Sequence, residues 1–209
     1  MRLFAAILAV TSALVASFVA WAKAEPSRRL AALERNARIE PLDLVFQDLE
    51  CGLRCNLIRD ITGSRYTHVG IVLEERGERV IWEAYGPVGP TALASWVGRT
   101  GGDVAVYRFD EALRSRAADI AREVRAMRGL PYDGEYQWDD ERIYCSELIA
   151  KAVERATGTT LSPPRTFNFG ASRETIARMT HGRLTEQTGI VAPIDLASSQ
   201  RARRVAGDL

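Results

Sequence analysis

A cysteine lies at the start of a segment whose pattern predicts an amphipathic helix, Ile143–Val153. A thiol in the first turn of a helix is close to the positive end of the helix dipole and to unpaired amides, and both favour the thiolate over the thiol. Cys145 is therefore a candidate nucleophile. Of the two histidines in the chain, His68 opens a strand-like run, His68–Leu73, far upstream of the cysteine. A fold that uses both residues as nucleophile and base must bring this strand to the start of that helix.

The N-terminus carries an uncharged apolar stretch, residues 3–22, after Met1 and Arg2. Ala22-Lys23-Ala24 follows, a small-x-small pattern typical of signal peptide cleavage sites. We therefore predict that residues 1–24 are a secretory signal peptide and that residues 25–209 form a single exported domain, in the periplasm or cell envelope. The stretch is also long enough to span a bilayer, so an uncleaved anchor is the alternative, and only then is a membrane partner expected.

Export would place the three cysteines of the chain in an oxidising compartment. Cys51 and Cys55 are close enough in sequence to pair with each other, which leaves Cys145 as the free thiol. A disulfide between residues one turn apart is awkward within a regular helix, and Gly52 is a candidate for the break that permits it. This partition supports Cys145 as the reactive residue.

Charge and residue spacing exclude several classes of function. The full chain has a formal net charge of +1 and no arginine-rich run in its folded part, so we expect no nucleic acid partner. We predict that the cluster Arg201, Arg203 and Arg204 is a solvated tail and that His181 is a surface residue. The cysteine and histidine spacings match no zinc site, and we predict no metal and no cofactor.

Hydrophobic periodicity predicts a mixture of strands and helices. The segment Glu111–Met127 carries one apolar stripe, as expected for a helix that faces a core. The predicted strands are Leu42–Gln47, His68–Leu73, Arg79–Tyr85 and Val104–Phe109, and the predicted helices are Ser27–Arg38, Cys51–Thr62, Leu93–Val97, Glu111–Met127, Cys145–Ala156 and Ser172–Met179.

The second and third predicted strands form a hairpin whose geometry can be tested on paper. A two-residue loop at residues 75–76 would place His68 directly across from Glu83, with Cβ atoms roughly 4.5 to 5.5 Å apart. A three-residue loop would put the two side chains on opposite faces, so the inference depends on the register. Glu83 shares its face with Ile81 and Tyr85, and a carboxylate among bulky apolar groups needs a partner. We therefore predict that Glu83 orients His68, the alternative being a solvated hairpin charge.

These residues lie in motifs that resemble the circularly permuted papain-like cysteine hydrolases of the NlpC superfamily. The resemblance is greatest to the YiiX/YaeF type, with lecithin retinol acyltransferase-like proteins as relatives. It covers roughly residues 41–155, with the histidine before the cysteine in the permuted order, and it is thin after Thr157. The matching segments are Asp43–Phe46, Tyr66–Val72, Glu83–Gly86, Gly129–Asp133 and Tyr144–Leu148.

The resemblance implies an α+β fold of the permuted papain-like type. An antiparallel sheet would pack against helices, and the nucleophile would lie at a helix N-terminus. Cys145 would be the nucleophile, His68 the base and Glu83 the third catalytic residue. The candidate substrate contacts are three tyrosines within the matching motifs, Tyr66, Tyr132 and Tyr144.

The predicted function is that of an exported cysteine hydrolase that cleaves an amide bond through a Cys145 thioester. An envelope location favours a peptidoglycan-derived peptide or a small amino-acid amide as the substrate. The first alternative is a lipid-directed thiol acyltransferase or phospholipase, which would require an apolar acyl groove. The second is a non-catalytic binding module of the same fold, although the presence of Cys145, His68 and Glu83 together argues against it.

Overall fold

An antiparallel sheet of six strands organises the chain, in a computed structural model that describes Ala31 and residues 38–207. The predicted signal peptide and nearly all of the first predicted helix lie outside these residues. Across the sheet the strand order is β4-β3-β2-β1-β5-β6. The strands are β1 (Leu44–Leu49), β2 (His68–Glu75), β3 (Glu78–Glu83), β4 (Gly89–Ala92), β5 (Thr100–Phe109) and β6 (Ala202–Ala206).

Helices connect the strands and follow them along the chain. Within the described residues, no helix is long and apolar enough to cross a membrane. The α-helices of this part are α1 (Leu53–Thr62), α2 (Leu93–Gly98), α3 (Glu111–Arg114), α4 (Ala117–Ala126), α5 (Cys145–Thr157), α6 (Arg173–Met179) and α7 (Pro193–Ala197), and a 3-10 turn spans Gly170–Ser172.

Both faces of the central strands are buried. The main core lies on one face, where side chains such as Ile71 of β2 pack with Leu148 and Val153 of α5. A smaller core covers the other face, where Val72 of β2 packs with Trp96 of α2. Because both faces are covered, these strands read in the sequence as continuous apolar runs rather than as an alternating pattern. The architecture confirms the predicted α+β fold.

The hairpin of β2 and β3 turns at Arg76 and Gly77, one residue later than predicted. Both residues have positive φ angles, 54° and 83°, as the tightest two-residue hairpin turns require. The predicted register was therefore wrong by two positions: the ladder pairs Ile71 with Trp82, and the same register extended by one residue puts Glu83 opposite Gly70 rather than His68. A shift of two residues keeps every side chain on its face, so His68 and Glu83 still point the same way.

Both edge strands were missed in the sequence. β4 contains Pro90, which disfavours a strand in sequence reasoning, and an edge strand is the place where a sheet tolerates proline. β6 contains Arg203 and Arg204, so the prediction of a solvated tail was wrong for these residues, and exposed charges are common on edge strands. The helix α7 was also missed, and the predicted helix Glu111–Met127 is two helices, α3 and α4.

The disulfide between Cys51 and Cys55 is present, as predicted, with the two Cα atoms 5.3 Å apart. Gly52 adopts a φ of 65° immediately before α1, so Cys51 lies outside the helix. The bridge therefore fixes the start of α1 rather than linking two turns within it, and Cys145 is the free cysteine.

Gly70 provides a test of how closely β2 packs against β3. An ideal Cβ at this position would lie 2.3 Å from Cγ2 of Ile81 and 3.2 Å from the carbonyl oxygen of Trp82. Gly70→Ala should therefore lower the free energy of unfolding by about 1–3 kcal/mol, measured by guanidinium denaturation. At Gly86 a Cβ would meet nothing within 4 Å, so the control Gly86→Ala should stay within about 0.5 kcal/mol of the wild type. Equal stability of the two variants would contradict this account.

Candidate active site

The free cysteine is the first residue of α5. Cys145 is 5% exposed, and its backbone N–H donates no hydrogen bond within the described part of the chain. The Val69 backbone N–H donates to its sulfur atom, and the side chain also interacts with His68. The preceding residue, Tyr144, has an extended backbone and donates its N–H to the Glu147 carboxylate at 3.2 Å, which ties down the start of the helix.

The histidine begins β2 and bridges the other two predicted residues. His68 Nε2 lies 2.7 Å from Oε2 of Glu83. The imidazole also interacts with Cys145, since each of the two groups shifts the pKa of the other. The structure thus brings the three predicted residues together, by a diagonal contact across the hairpin that a long glutamate side chain can make.

The Glu83 carboxylate is 3% exposed and accepts four hydrogen bonds. Oε2 accepts from His68 and from the Trp96 indole at 2.9 Å. Oε1 accepts from the Thr91 hydroxyl and the Arg99 guanidinium, each at 2.5 Å. Sequence reasoning missed Thr91, Trp96 and Arg99, because their position depends on β4 and on the approach of α2 to the sheet.

The three groups change one another's protonation. Burial lowers the pKa of His68, but hydrogen bonds with Cys145 and Glu83 outweigh it and raise the pKa to about 9. Burial also raises the pKa of Cys145, yet the hydrogen bond and charge of His68, with the Val69 N–H, bring it below its usual value. For Glu83, burial is likewise outweighed by His68, Thr91 and Arg99, so its pKa is lowered. These directions favour a thiolate and an imidazolium at neutral pH.

A cavity that is partly open to solvent adjoins Cys145. Its walls come from α1, from α6 and from the segment between α6 and α7, and the side chains on them are mainly apolar. Apolar residues that line it include Leu57, Ile58, Ile61, Ile176, Met179 and Leu184. A lining of this kind accepts a hydrocarbon group more readily than a charged one.

The three predicted substrate contacts are placed differently. Tyr132 and Tyr144 line the cavity. The Tyr144 hydroxyl accepts a hydrogen bond from the Val191 N–H at 3.1 Å, so this residue also fastens a cavity wall. Tyr66 lies outside the lining, because its ring is buried in the main core and its hydroxyl lies 3.1 Å from that of Tyr107. The structure therefore gives Tyr66 a packing role.

The second histidine is a surface residue, as predicted. The His181 side chain is 81% exposed, and its Nδ1 lies 3.2 Å from a carboxylate oxygen of Glu135. It is not part of the cavity lining.

The chain is similar in sequence to a known protein family and to one curated protein. Residues 38–206 match the profile of a family described as permuted papain-like amidase enzymes, YaeF/YiiX, C92 family. The uncharacterized protein YiiX of Escherichia coli K12 is 30% identical over 118 residues. That alignment covers 56% of this chain and 58% of the relative, so the chain spans somewhat over half the length of this curated protein.

The fold is also similar to a crystal structure of the metalloprotein YiiX from Escherichia coli O157:H7. The TM-score is 0.74 at 24% identity, over 81% of this chain and 97% of that one. Within residues 38–207 of this chain, no cluster of three or more His, Cys, Asp and Glu side chains could hold a metal ion. The side chains of this part of the chain therefore do not fit a metal site of that kind.

The order of the two residues along the chain agrees with the permuted arrangement that the sequence motifs imply. His68 on the strand precedes Cys145 at the helix start, and the antiparallel sheet between them has the covering helices of the permuted papain-like fold. The family match extends over nearly the whole described part of the chain. This chain belongs to the permuted papain-like amidase family, YaeF/YiiX type, C92.

Proposed function

We propose that this protein is a cysteine amidase that acts on amides with an apolar acyl group. The observation that carries the proposal is the hydrogen-bonded pair His68 and Glu83, with Cys145 next to the imidazole and to a mainly apolar cavity. The family name supports amide chemistry, and the cavity supports a hydrocarbon acyl part. An exported location remains part of the proposal and rests on the N-terminal sequence pattern.

In the acylation step the Cys145 thiolate attacks the carbonyl carbon of the amide. The carbon–sulfur bond forms, and the developing oxyanion lies near the free Cys145 backbone N–H at the start of α5. As the carbon–nitrogen bond breaks, the His68 imidazolium gives its proton to the leaving amine. The products of this step are a thioester, a neutral imidazole and the free amine.

In the deacylation step the neutral His68 accepts a proton from water, and the resulting hydroxide equivalent attacks the thioester carbonyl. The carbon–sulfur bond breaks, Cys145 leaves as the thiolate, and His68 is again an imidazolium. Glu83 remains ionised throughout and fixes the orientation of the imidazole through Nε2. The carboxylic acid then departs.

The apolar lining of the cavity favours one class of candidate substrate over the other. Peptidoglycan-derived peptides carry several charged groups, and placing these against Ile58, Ile61 and Met179 would remove them from water without partners. A hydrocarbon chain meets no such penalty and gains about 0.8 kcal/mol for each buried methylene. An apolar acyl amide therefore fits this cavity better than the peptide that an envelope location favours.

The second candidate function is ester cleavage or acyl transfer on a lipid. The apolar cavity is the observation that favours it, since it is the groove that lipid chemistry would require. Both functions pass through the same Cys145 thioester, and they differ in whether an amine or an alcohol leaves. Dodecanoyl p-nitroanilide and dodecanoyl p-nitrophenyl ester therefore distinguish them, because the acyl part is the same.

The acyl preference is tested with p-nitroanilides from acetyl to dodecanoyl. Each added methylene should raise kcat/KM by up to about fourfold until the cavity is filled, because burying one methylene contributes about 0.8 kcal/mol of binding free energy. Release of p-nitroaniline is followed by absorbance, and Cys145→Ala is the blank. An acetyl amide cleaved as well as the longest chain would contradict the proposed acyl site, and no cleavage by either protein would favour the binding module.

Cys145 should react with iodoacetamide faster than an ordinary thiol at pH 7, because its pKa is lowered by His68. His68→Gln should slow this alkylation, since the stabilising imidazolium is lost. The rate is measured by mass spectrometry of the Cys145 peptide, with the Cys51–Cys55 peptide as an internal control that stays linked without reductant. An unchanged rate in His68→Gln would show that the imidazole does not activate the thiol.

Glu83→Gln should reduce kcat but leave more activity than Cys145→Ala, because Glu83 supports the base and forms no bond to the substrate.

In the wild type, activity should fall as the pH rises past about 9, where His68 loses its proton. Removing the Glu83 charge lowers the pKa of His68, so the alkaline limb of the pH–rate profile should move to lower pH. A limb that stays in place would exclude Glu83 as the partner that sets this protonation.

A further inference from the structure

Arg54 lies in the cavity wall and has no acidic partner within hydrogen-bond or ion-pair distance in the described part of the chain. Its side chain is half-buried in the lining of the cavity that adjoins Cys145. Within residues 38–207 it makes no hydrogen bond or ion pair, and its guanidinium lies over the Tyr132 ring, 5.7 Å from the centroid. By contrast Arg59, on the same helix, pairs with Asp48 at 2.5 Å.

The loop before the nucleophile leaves room for this guanidinium. An ideal Cβ at Gly134 would lie 3.2 and 3.3 Å from the two terminal nitrogens of Arg54, so the glycine permits the approach. The hydroxyl groups of Tyr132 and Tyr136 lie 3.5 Å apart in the same cavity. The pKa values of both tyrosines, raised mainly by burial, also respond to the charges of Arg54 and Cys145, which places the cation within electrostatic range of the thiol's surroundings.

A guanidinium in this setting has a strong preference for one kind of partner. Its planar set of donors matches the paired oxygens of a carboxylate or a phosphate. Apolar walls strengthen such a contact, because fewer waters compete for the ions. Along α1 the lining runs from Arg54 through Leu57 and Ile58 to Ile61, so a cationic start is followed by an apolar wall.

We propose that Arg54 binds a carboxylate or phosphate group of the substrate, so that the substrate is an amphipathic anion with its hydrocarbon part along the apolar wall of α1. This rests on the proposed function in taking the cavity as the substrate site. It adds a charge requirement that the apolar lining alone does not impose. Arg54 is then the residue that distinguishes anionic from neutral lipids and acyl amides.

Binding tests the proposal without any turnover. Decanoate, decyl phosphate and decanol are titrated by calorimetry into Cys145→Ala protein, at concentrations below micelle formation. The two anions share the hydrocarbon chain with decanol, and at least one should bind about ten to a hundred times more tightly, as a hydrogen-bonded charge pair provides. The tighter of the two anions identifies carboxylate or phosphate as the natural group.

The same titrations in Cys145→Ala/Arg54→Gln should give equal affinity for the anions and decanol, with decanol binding unchanged. Arg122→Gln is the matched control, because its side chain is 64% exposed on α4 outside the cavity lining, and it should keep the anion preference. Circular dichroism and Tm verify that each variant is folded. Anions that bind no better than decanol, an anion preference that survives Arg54→Gln, or binding of none of the three would overturn the proposal.

Turnover distinguishes this inference from the proposed function. N-decanoylglycine and N-decanoylglycinamide differ only in the terminal charge, and the wild type should favour the carboxylate in kcat/KM. If neither is cleaved but the anions still bind through Arg54, the amidase proposal is at fault and the anion site stands. If both are cleaved equally well and the anions show no preference in binding, the amidase proposal stands and the role of Arg54 is excluded.

Discussion

The buried carboxylate of Glu83 is the constraint around which the site is arranged. A carboxylate with 3% exposure is stable as an anion only when nearly all of its acceptor positions are used. Here Thr91, Trp96 and Arg99 use three of them and His68 takes the fourth. The Glu83 side chain thereby holds together the edge strand β4, the helix α2 with the residue that follows it, and the first residue of β2. Removing any partner would leave part of a buried charge uncompensated.

The orientation of His68 then determines what Cys145 can do. With Nε2 held by Glu83, the imidazole lies next to the thiol at the start of α5. The residues that flank the thiol have their own anchors, since the hydroxyls of Tyr144 and Ser146 both bond to the backbone of Val191. The segment after α6 is thus fastened to the start of α5, and it forms a wall of the cavity.

The sequence contained the catalytic candidates but not the details of their support. The hairpin argument placed Glu83 on the face of His68 although its register was wrong by two positions, because the face depends only on odd or even spacing. The turn at Arg76 and Gly77 was not recognised, since arginine is an uncommon residue at positive φ. The motif also gave a wrong role to Tyr66. This residue is next to the cavity-lining Thr67 in sequence, but its side chain packs in the core.

The cavity could not have been predicted, for a physical reason. Its walls combine α1, the short helix α6 and the irregular segment between α6 and α7, where no hydrophobic period marks the lining side chains. Side chains such as Leu184 become neighbours of Leu57 only after the chain has folded around α5. The unpaired state of Arg54 likewise depends on the folded structure, whose described part gives this side chain no hydrogen bond or ion pair.

The central claim is that Glu83 keeps His68 charged beside the Cys145 thiolate, and nitrogen NMR of the imidazole tests it most directly. The chain has only two histidines, so the variant His181→Gln leaves a single ring to assign. We predict that both ring nitrogens of His68 are protonated at pH 7.5 and that the ring loses a proton near pH 9. A His68 ring that is neutral at pH 7.5 would contradict the account.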